Sequence, residues 1–439
     1  MNTDTDILII GAGACGLSAA VSLEKHGKKV LVVEARDRIG GRILTIKGSG
    51  RDEKIDLGAD FVHGLPPALL EFINPQIDFL ERADSNLIFK DNKLELSSSF
   101  DNNSTIIDQL VSETLDKDMS FQKWVNLKDR GHSDQVRSIM DYIQGYHAAD
   151  LDEISTKVLH DIETDNRKEQ AVEDSFFLKA GLNELISRLR SKYSGDILLN
   201  YCAKTIHWSK EGVSVSFINP HAPSLELKPI RAKKLIITVP IGVLQSVDKV
   251  GSLQFQPSLP GSISKKLSFF KMGSAIKISY AFYDYFWEKI GIDDFFFLFD
   301  PTPNVQFPIW WKKGRTLNAW RGGPLASSIK CSQEKERVDI AVRELARLFN
   351  KPGEFIRQGL ETSYVHDWET DSFSLGAYAY VKVGGKQAQE QYSEPVDQVL
   401  FFAGDIGTPG AFCSTVNGAF LSGIHVAEKL CSVLCTPCS

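Results

Sequence analysis

The sequence predicts an α/β chain: a parallel, doubly wound sheet domain interrupted by an inserted α+β lobe. Three observations predict it. An apolar run, Ile7-Leu-Ile-Ile10, leads straight into Gly11-Ala-Gly13-Ala-Cys-Gly16. A second run, Lys29-Val-Leu-Val-Val-Glu34, ends in a carboxylate. Near the C-terminus, Val399-Leu-Phe-Phe-Ala-Gly404 reads as a strand followed by a loop and a helix from Gly418 to Leu430.

The first forty residues form a βαβ unit built for an anionic dinucleotide. Gly11 permits a tight turn, Gly13 lets the backbone approach a pyrophosphate, and Gly16 lets the helix pack on the strand, with the helix N-terminus facing negative charge. Glycines also open ordinary turns, so the motif gains its weight from the strand before it, the helix after it and the acid beyond. Glu34, at the end of the second strand, is placed to accept hydrogen bonds from ribose hydroxyls and to repel a 2′-phosphate. These features do not separate NAD from FAD. Gly40-Gly41-Arg42, just past the acid, suits a further clamp on a longer diphosphate cofactor.

Bulk properties bound the rest. The chain has 439 residues, 43% hydrophobic and 24% charged, which is ordinary globular composition and enough for two domains. A formal net charge of −6 argues against nucleic acid as the main partner. No stretch approaches the run of about eighteen apolar residues that a membrane span requires. A strand so close to the start leaves no room for a signal peptide, so a cytoplasmic location is expected. The seven cysteines are odd in number and mostly scattered, as expected of reduced thiols. Cys431, Cys435 and Cys438 cluster at the tail without a companion His or second CxxC pair, so no metal site is expected.

Along the chain, Lys54-Ile-Asp reads as a short strand opening into a loop at Gly58-Ala-Asp-Phe-Val-His63-Gly64. From about 66 to 175 the apolar spacing turns helical, as in Ile106, Ile107, Leu110, Val111 and Leu115. Leu182, Leu185, Ile186 and Leu189 mark an amphipathic helix, followed by a strand at Ile197, a hairpin at Lys210-Glu-Gly212 and a buried strand up to Pro240. From Ser274 to Tyr283 the pattern alternates, with Ile276, Ile278, Tyr280 and Phe282 on one face and Lys277, Ser279, Ala281 and Tyr283 on the other. A helix at 334–349 and a strand at Tyr378-Ala-Tyr-Val complete the inserted lobe.

The segments Glu34 to Arg42, Leu400-Phe-Phe-Ala-Gly-Asp405 and Ser414-Thr-Val-Asn-Gly-Ala-Phe-Leu-Ser-Gly423 together resemble the signature of the flavin-containing amine oxidase superfamily. Within it the chain looks most like polyamine oxidases. The resemblance implies a Rossmann-like FAD-binding domain of the glutathione-reductase type (1–65, 175–250 and 390–439) with an inserted substrate-binding domain (66–174 and 251–389). It implies noncovalent FAD held by Gly11, Gly13, Gly16, Glu34, Ala35, Arg36, Gly41, Arg42, Gly58, Ala59, Ala203, Trp368, Gly404, Asp405, Thr415 and Val416. Asp405 stands where the family more often has Glu. Ala377 stands where membrane-bound monoamine oxidases carry a flavin-linked Cys.

For catalysis the resemblance implies Lys277, Tyr378, His63 and Thr415. Alone, a lysine between Ile276 and Ile278 reads as an outward, solvated residue. Its setting, from Met272-Gly-Ser-Ala-Ile-Lys277 to Phe286-Trp287, resembles the family segment whose lysine holds a water against the flavin. Trp368 and, ten positions later, Tyr378 match the family's flavin-packing Trp and one wall of its aromatic cage. Thr415 replaces the second cage Tyr of monoamine oxidases, as in polyamine oxidases and histone lysine demethylases. His63 matches a residue lining the polyamine oxidase funnel, and His147 and Asp150 are further candidates there. Phe61 occupies the position at which amino-acid oxidases place a carboxylate-binding Arg.

The implied reaction oxidises a primary or secondary amine, a polyamine in the first instance, to an imine and then an aldehyde while O2 becomes H2O2. The expected partners are a small-molecule amine and O2, with no nucleic acid and no membrane span, in a monomer or homodimer. The alternatives are an amino-acid, cyclic-amine or monoamine flavin oxidase, and a non-catalytic FAD-binding protein. A histone demethylase is disfavoured by the lack of a long helical insertion.

Overall fold

The computed structural model describes residues 3–50, 53–80, 85–97, 104–128, 134–169, 175–292 and 295–435. An eight-stranded sheet with strands from both ends of the chain organises one half of the molecule. Thr5–Ile10 lies at its centre, parallel to Val30–Val33 on one side and to the end of the long strand Ala222–Ile237 on the other. Leu400–Phe402 adds in parallel beyond Leu235–Ile237, and Ile197–Leu198 beyond Val32 and Val33. Both faces of this parallel group are covered, which is why its strands are continuously apolar.

The helices Ala14–Lys25, Asn183–Lys192 and Val416–Cys435 pack on one face through Leu17, Leu185, Ile186 and Phe420. On the other face Leu8, Ile10, Leu235 and Phe402 meet Ile241, Phe270 and Tyr392. The first part of Ala222–Ile237 leaves the parallel group and pairs antiparallel with Gly212–Asn219, which on its other side pairs with Cys202–Ser209 in the hairpin expected at Lys210. Gly16 belongs to the packing and does not line the cavity described below. A Cβ there would fall 1.9 Å from the Gly11 carbonyl oxygen, so the helix closes onto the loop only with glycine.

The second sheet has seven strands in the order Leu360–Val365, Ala275–Phe282, Thr316–Gly322, Ile309–Lys313, Phe297–Phe299, Asn86–Lys90 and Lys93–Ser97. The alternation read at Ser274 to Tyr283 is real, yet both faces are covered: of the strand Ala275–Phe282, all but Ala275 are buried. Ile276, Ile278, Tyr280 and Phe282 pack under the helix Glu334–Leu348. The opposite face, with Lys277 and Ser279, is equally enclosed.

The helical lobe between 66 and 175 needs one correction. Helices form at Ser104–Ser112, Phe121–Lys128, Asp134–Tyr146 and Thr156–Glu169 around Leu110, Trp124, Ile139 and Leu159. Before them, however, Asn86–Lys90 and Lys93–Ser97 form a hairpin on the edge of the second sheet. Leu87 and Phe89 alternate inward, and Asp91 and Asn92, both at positive φ, make the tight turn. That Asp-Asn signal was present in the sequence. Gln254–Gln256 pairs with the first sheet, and Leu69, Phe72 and Phe79 join its core. Among the described residues no helix is long and apolar enough to cross a membrane. Cys15, Cys202, Cys331 and Cys413 are buried thiols, and Cys438 of the tail cluster lies outside the described residues.

Candidate active site

A cavity of about 360 Å³ lies where the two sheets meet, lined by residues from both chain ends and from the inserted lobe. Every residue anticipated for cofactor or catalysis lines it except Gly16. One part of the wall is built from the βαβ unit. Glu34 is buried there, its two oxygens accepting from the Ala12 N–H at 2.8 Å and the Arg36 N–H at 3.0 Å. Burial raises its pKa against the pull of those two donors and of Arg36 and Arg38. The first helix begins at Gly13 with no side-chain cap, and Ala14 and Cys15 of its first turn line the cavity.

The arginines of this part are already matched. Arg36 donates twice to Asp371, at 2.9 and 2.7 Å, and once to Ser374. Arg42 donates twice to Asp405, at 3.0 and 2.7 Å, and to the Ala377 carbonyl at 2.8 Å. Arg42 and Asp405, each expected to hold the cofactor, are each other's partners and tie the N-terminal unit to the C-terminal one. Gly58 is irreplaceable locally: a Cβ would fall 1.8 Å from the Arg42 carbonyl oxygen and 3.0 Å from the Trp368 ring. The Trp368 indole N–H anchors this loop by donating to the Leu57 carbonyl at 3.0 Å. At Gly404 a Cβ would meet open space. An uncapped helix N-terminus, internally neutralised ion pairs and a glycine-lined wall fit an extended anionic dinucleotide.

Lys277 is buried and is no solvated surface residue. Its ammonium donates to the Gly58 carbonyl at 2.8 Å and to Asp60 Oδ2 at 3.1 Å. Asp60 also takes Lys313 on its other oxygen at 3.2 Å, and Lys313 in turn binds Asp56. Burial would raise Asp60, but Lys277 and Lys313 outweigh it and hold the carboxyl below the usual range. Nothing in the local sequence ties Asp56, Asp60 and Lys313 to Lys277; the second sheet brings them together.

The remaining wall is aromatic, with Phe61, Tyr142, Tyr146, Phe297, Trp311, Trp320 and Tyr378. Tyr378 and Trp320 are parallel to within 4° at 6.4 Å between centroids, and the Tyr378 hydroxyl contacts the carbonyls of Tyr146 and Gly145 at 3.0 and 3.2 Å. His63 borders the cavity and pairs through Nδ1 with the Ser175 hydroxyl at 2.9 Å. Burial pushes its pKa down to about 4, so the ring is neutral at ordinary pH. Thr415 lines the cavity, but its hydroxyl accepts from the Gly418 N–H at 3.0 Å and donates to Phe412 at 2.8 Å, capping the C-terminal helix. Of the other two candidates, His147 reaches the cavity while Asp150 accepts from Asp152 in a turn outside it. Buried behind His147 is Glu163, its Oε1 3.6 Å from His147 Nε2. Among the described residues, neither of these atoms nor the Tyr146 hydroxyl has a hydrogen-bond partner.

Fold and cavity define a dinucleotide-dependent oxidoreductase with an aromatic substrate chamber. The chain belongs to the flavin containing amine oxidoreductases: that family's signature matches residues 14–431, and its cofactor is FAD. The chain is 28% identical to human lysine-specific histone demethylase 2 over 97% of its own length and 53% of that protein. It is 26% identical to polyamine oxidase 4 of Oryza sativa subsp. japonica, over 96% of its own length and 88% of the relative. It spans only about half the length of the demethylase relatives it matches. Among solved structures, a wild-type putrescine oxidase bound to putrescine superposes with a TM-score of 0.79 at 21% identity, covering 98% of this chain and 99% of that one. Cyclohexylamine oxidase from Brevibacterium oxydans has the same fold, with a TM-score of 0.78 at 20% identity over 98% of this chain and 99% of that one.

Proposed function

We propose that this protein oxidises a small di- or polyamine to an imine and H2O2. FAD, when bound, would supply the two-electron acceptor for a hydride from the carbon beside the amine nitrogen, with O2 as the final oxidant. In this reading Gly11, Gly13 and the start of the first helix hold the pyrophosphate and Glu34 the ribose. Gly404, Asp405, Thr415 and Val416 hold the far end of the cofactor, with no covalent link at Ala377. Segments 1–65, 175–250 and 390–439 serve the cofactor, and 66–174 with 251–389 the amine.

The chain's own residues bind and orient the amine. Neutral His63 places no positive charge beside an incoming ammonium. The rings of Tyr378 and Trp320 offer π-faces to an amine nitrogen and exclude water from it. Lys277 presents its ammonium to the cavity, where it would hold the water or O2 that the reaction consumes.

One observation carries the choice of a diamine: the Tyr146 hydroxyl, His147 Nε2 and Glu163 Oε1 are buried without hydrogen-bond partners among the described residues. Buried polar atoms are rarely left so, and a second amine nitrogen would supply the partner that Tyr146 and His147, which line the cavity in front of Glu163, lack. An amino acid is disfavoured, because Arg36 and Arg42, the arginines lining the cavity, are both committed to aspartates. The experiment is turnover of the FAD-loaded protein on putrescine, spermidine, spermine, a monoamine, an amino acid and a methyl-lysine peptide, followed by peroxide and aldehyde. Polyamine turnover above the rest is expected; turnover of the peptide alone would replace this reading with demethylation.

A further inference from the structure

Lys277 does not act from an isolated position. With Asp60, Lys313 and Asp56 it forms a line of four charged side chains, each at most 9% exposed. Burying two ion pairs stabilises a fold little or not at all relative to apolar residues of the same shape, so packing alone does not account for them. Their geometry does more. Asp60 divides its oxygens: Oδ2 accepts from Lys277 at 3.1 Å and from the Trp311 indole N–H at 3.0 Å, while Oδ1 accepts from Lys313 at 3.2 Å. Lys313 is fixed from behind by Asp56, itself held by the Thr45 hydroxyl and by the Leu182 N–H at 2.9 Å. Two of the three N–H bonds of Lys277 go to Gly58 and Asp60, and the residue lines the cavity.

We propose that Asp60, Lys313 and Asp56 are positioning residues for Lys277: by engaging Oδ1 of Asp60, Lys313 leaves Lys277 a single carboxylate oxygen and so keeps its remaining N–H directed into the cavity. Without the Lys313 charge, Oδ1 loses its cation. The carboxylate is then drawn round Lys277 as its only lysine partner, and the ammonium turns from the cavity. This inference rests on the amine oxidase reading, in which Lys277 supports the oxygen step and takes no part in amine binding.

The test uses Lys313→Met, Lys313→Arg and Asp60→Asn in the FAD-loaded protein, measuring anaerobic reduction by the best amine separately from reoxidation by O2. Lys313→Met is expected to slow reoxidation about tenfold while leaving reduction within about twofold, with Lys313→Arg restoring most of the loss. In the apoprotein, acylation of Lys277 by a small amine-selective reagent, mapped by peptide mass, should fall about threefold in Lys313→Met, since the ammonium has left the cavity. Wild-type reoxidation and labelling would overturn the proposal, as would equal slowing of both half-reactions. Asp60→Asn must show the same split and decides the matter if Lys313→Met does not fold. If no amine reduces the wild-type flavin, the amine oxidase reading falls by itself, and the labelling result still tests the positioning.

Discussion

The two parts of the cavity wall are built in opposite ways. Around Glu34 the charges are matched within the protein: Arg36 with Asp371, Arg42 with Asp405, Glu34 with two backbone donors. Around Tyr378 the wall is aromatic, and among the described residues the Tyr146 hydroxyl and His147 Nε2 have no hydrogen-bond partner. A self-neutralised frame suits a cofactor that stays, because nothing in it is left stranded when charges are counted. A chamber with unsatisfied groups suits a ligand that comes and goes.

Substitutions can break or sharpen this contrast. The largest effect is expected at Gly16→Val, where the new side chain must occupy the space of the Gly11 carbonyl 1.9 Å from the Cβ; soluble yield and flavin absorbance should both collapse. A folded yellow variant would remove close backbone packing from the account. Next, Arg42→Met leaves Asp405 buried and unpaired, for an expected loss of about 3–5 kcal/mol by urea unfolding. The double variant with Asp405→Asn should recover much of that loss, and additivity of the two changes would speak against a pair.

His63 gives a pH signature. Its folded pKa of about 4 lies below its ordinary 6.5, so the unfolded chain takes the proton first. Stability from this residue is complete above pH 6.5 and declines as pH falls toward 4. The loss is bounded at about 3 kcal/mol, and His63→Gln should flatten that acid limb in melting curves; parallel curves for both proteins would count against a buried neutral ring. Behind the aromatic chamber, against His147, Glu163→Gln should raise KM for a diamine about tenfold, close to 1.4 kcal/mol, with kcat and monoamine kinetics little changed. A uniform fall in kcat for all amines would place Glu163 in the scaffold. The smallest effect belongs to Thr415→Ala, about 1 kcal/mol of lost helix capping with amine preference unaltered. A change of amine preference there would give the Thr415 side chain a part in amine binding.

The same contrast explains what the sequence disclosed. The βαβ unit was legible because its demands are local: Gly11 and Gly16 answer a turn and a close approach within one short segment. The C-terminal strand and helix were legible for the same reason. The chamber is not local. Trp311 and Trp320 come from neighbouring strands of the second sheet, Tyr146 from a helix end and His63 from the two-residue strand Val62–His63, and no spacing relates them. Asp60 was visible inside a recognised loop, but its meaning required Lys313, which a distant strand carries. The Asp91-Asn92 turn is readable in the sequence, but the helical period on its C-terminal side dominates the segment. Thr415 shows the converse: a position read as chamber wall spends its hydroxyl on the helix it begins.

The most direct test of the central claim is anaerobic mixing of the FAD-loaded protein with putrescine or spermidine while the flavin spectrum is followed. An amine oxidase with this chamber must lose its yellow colour to the amine alone and regain it, with H2O2, when O2 is admitted. A stable yellow protein that no di- or polyamine bleaches would contradict the account.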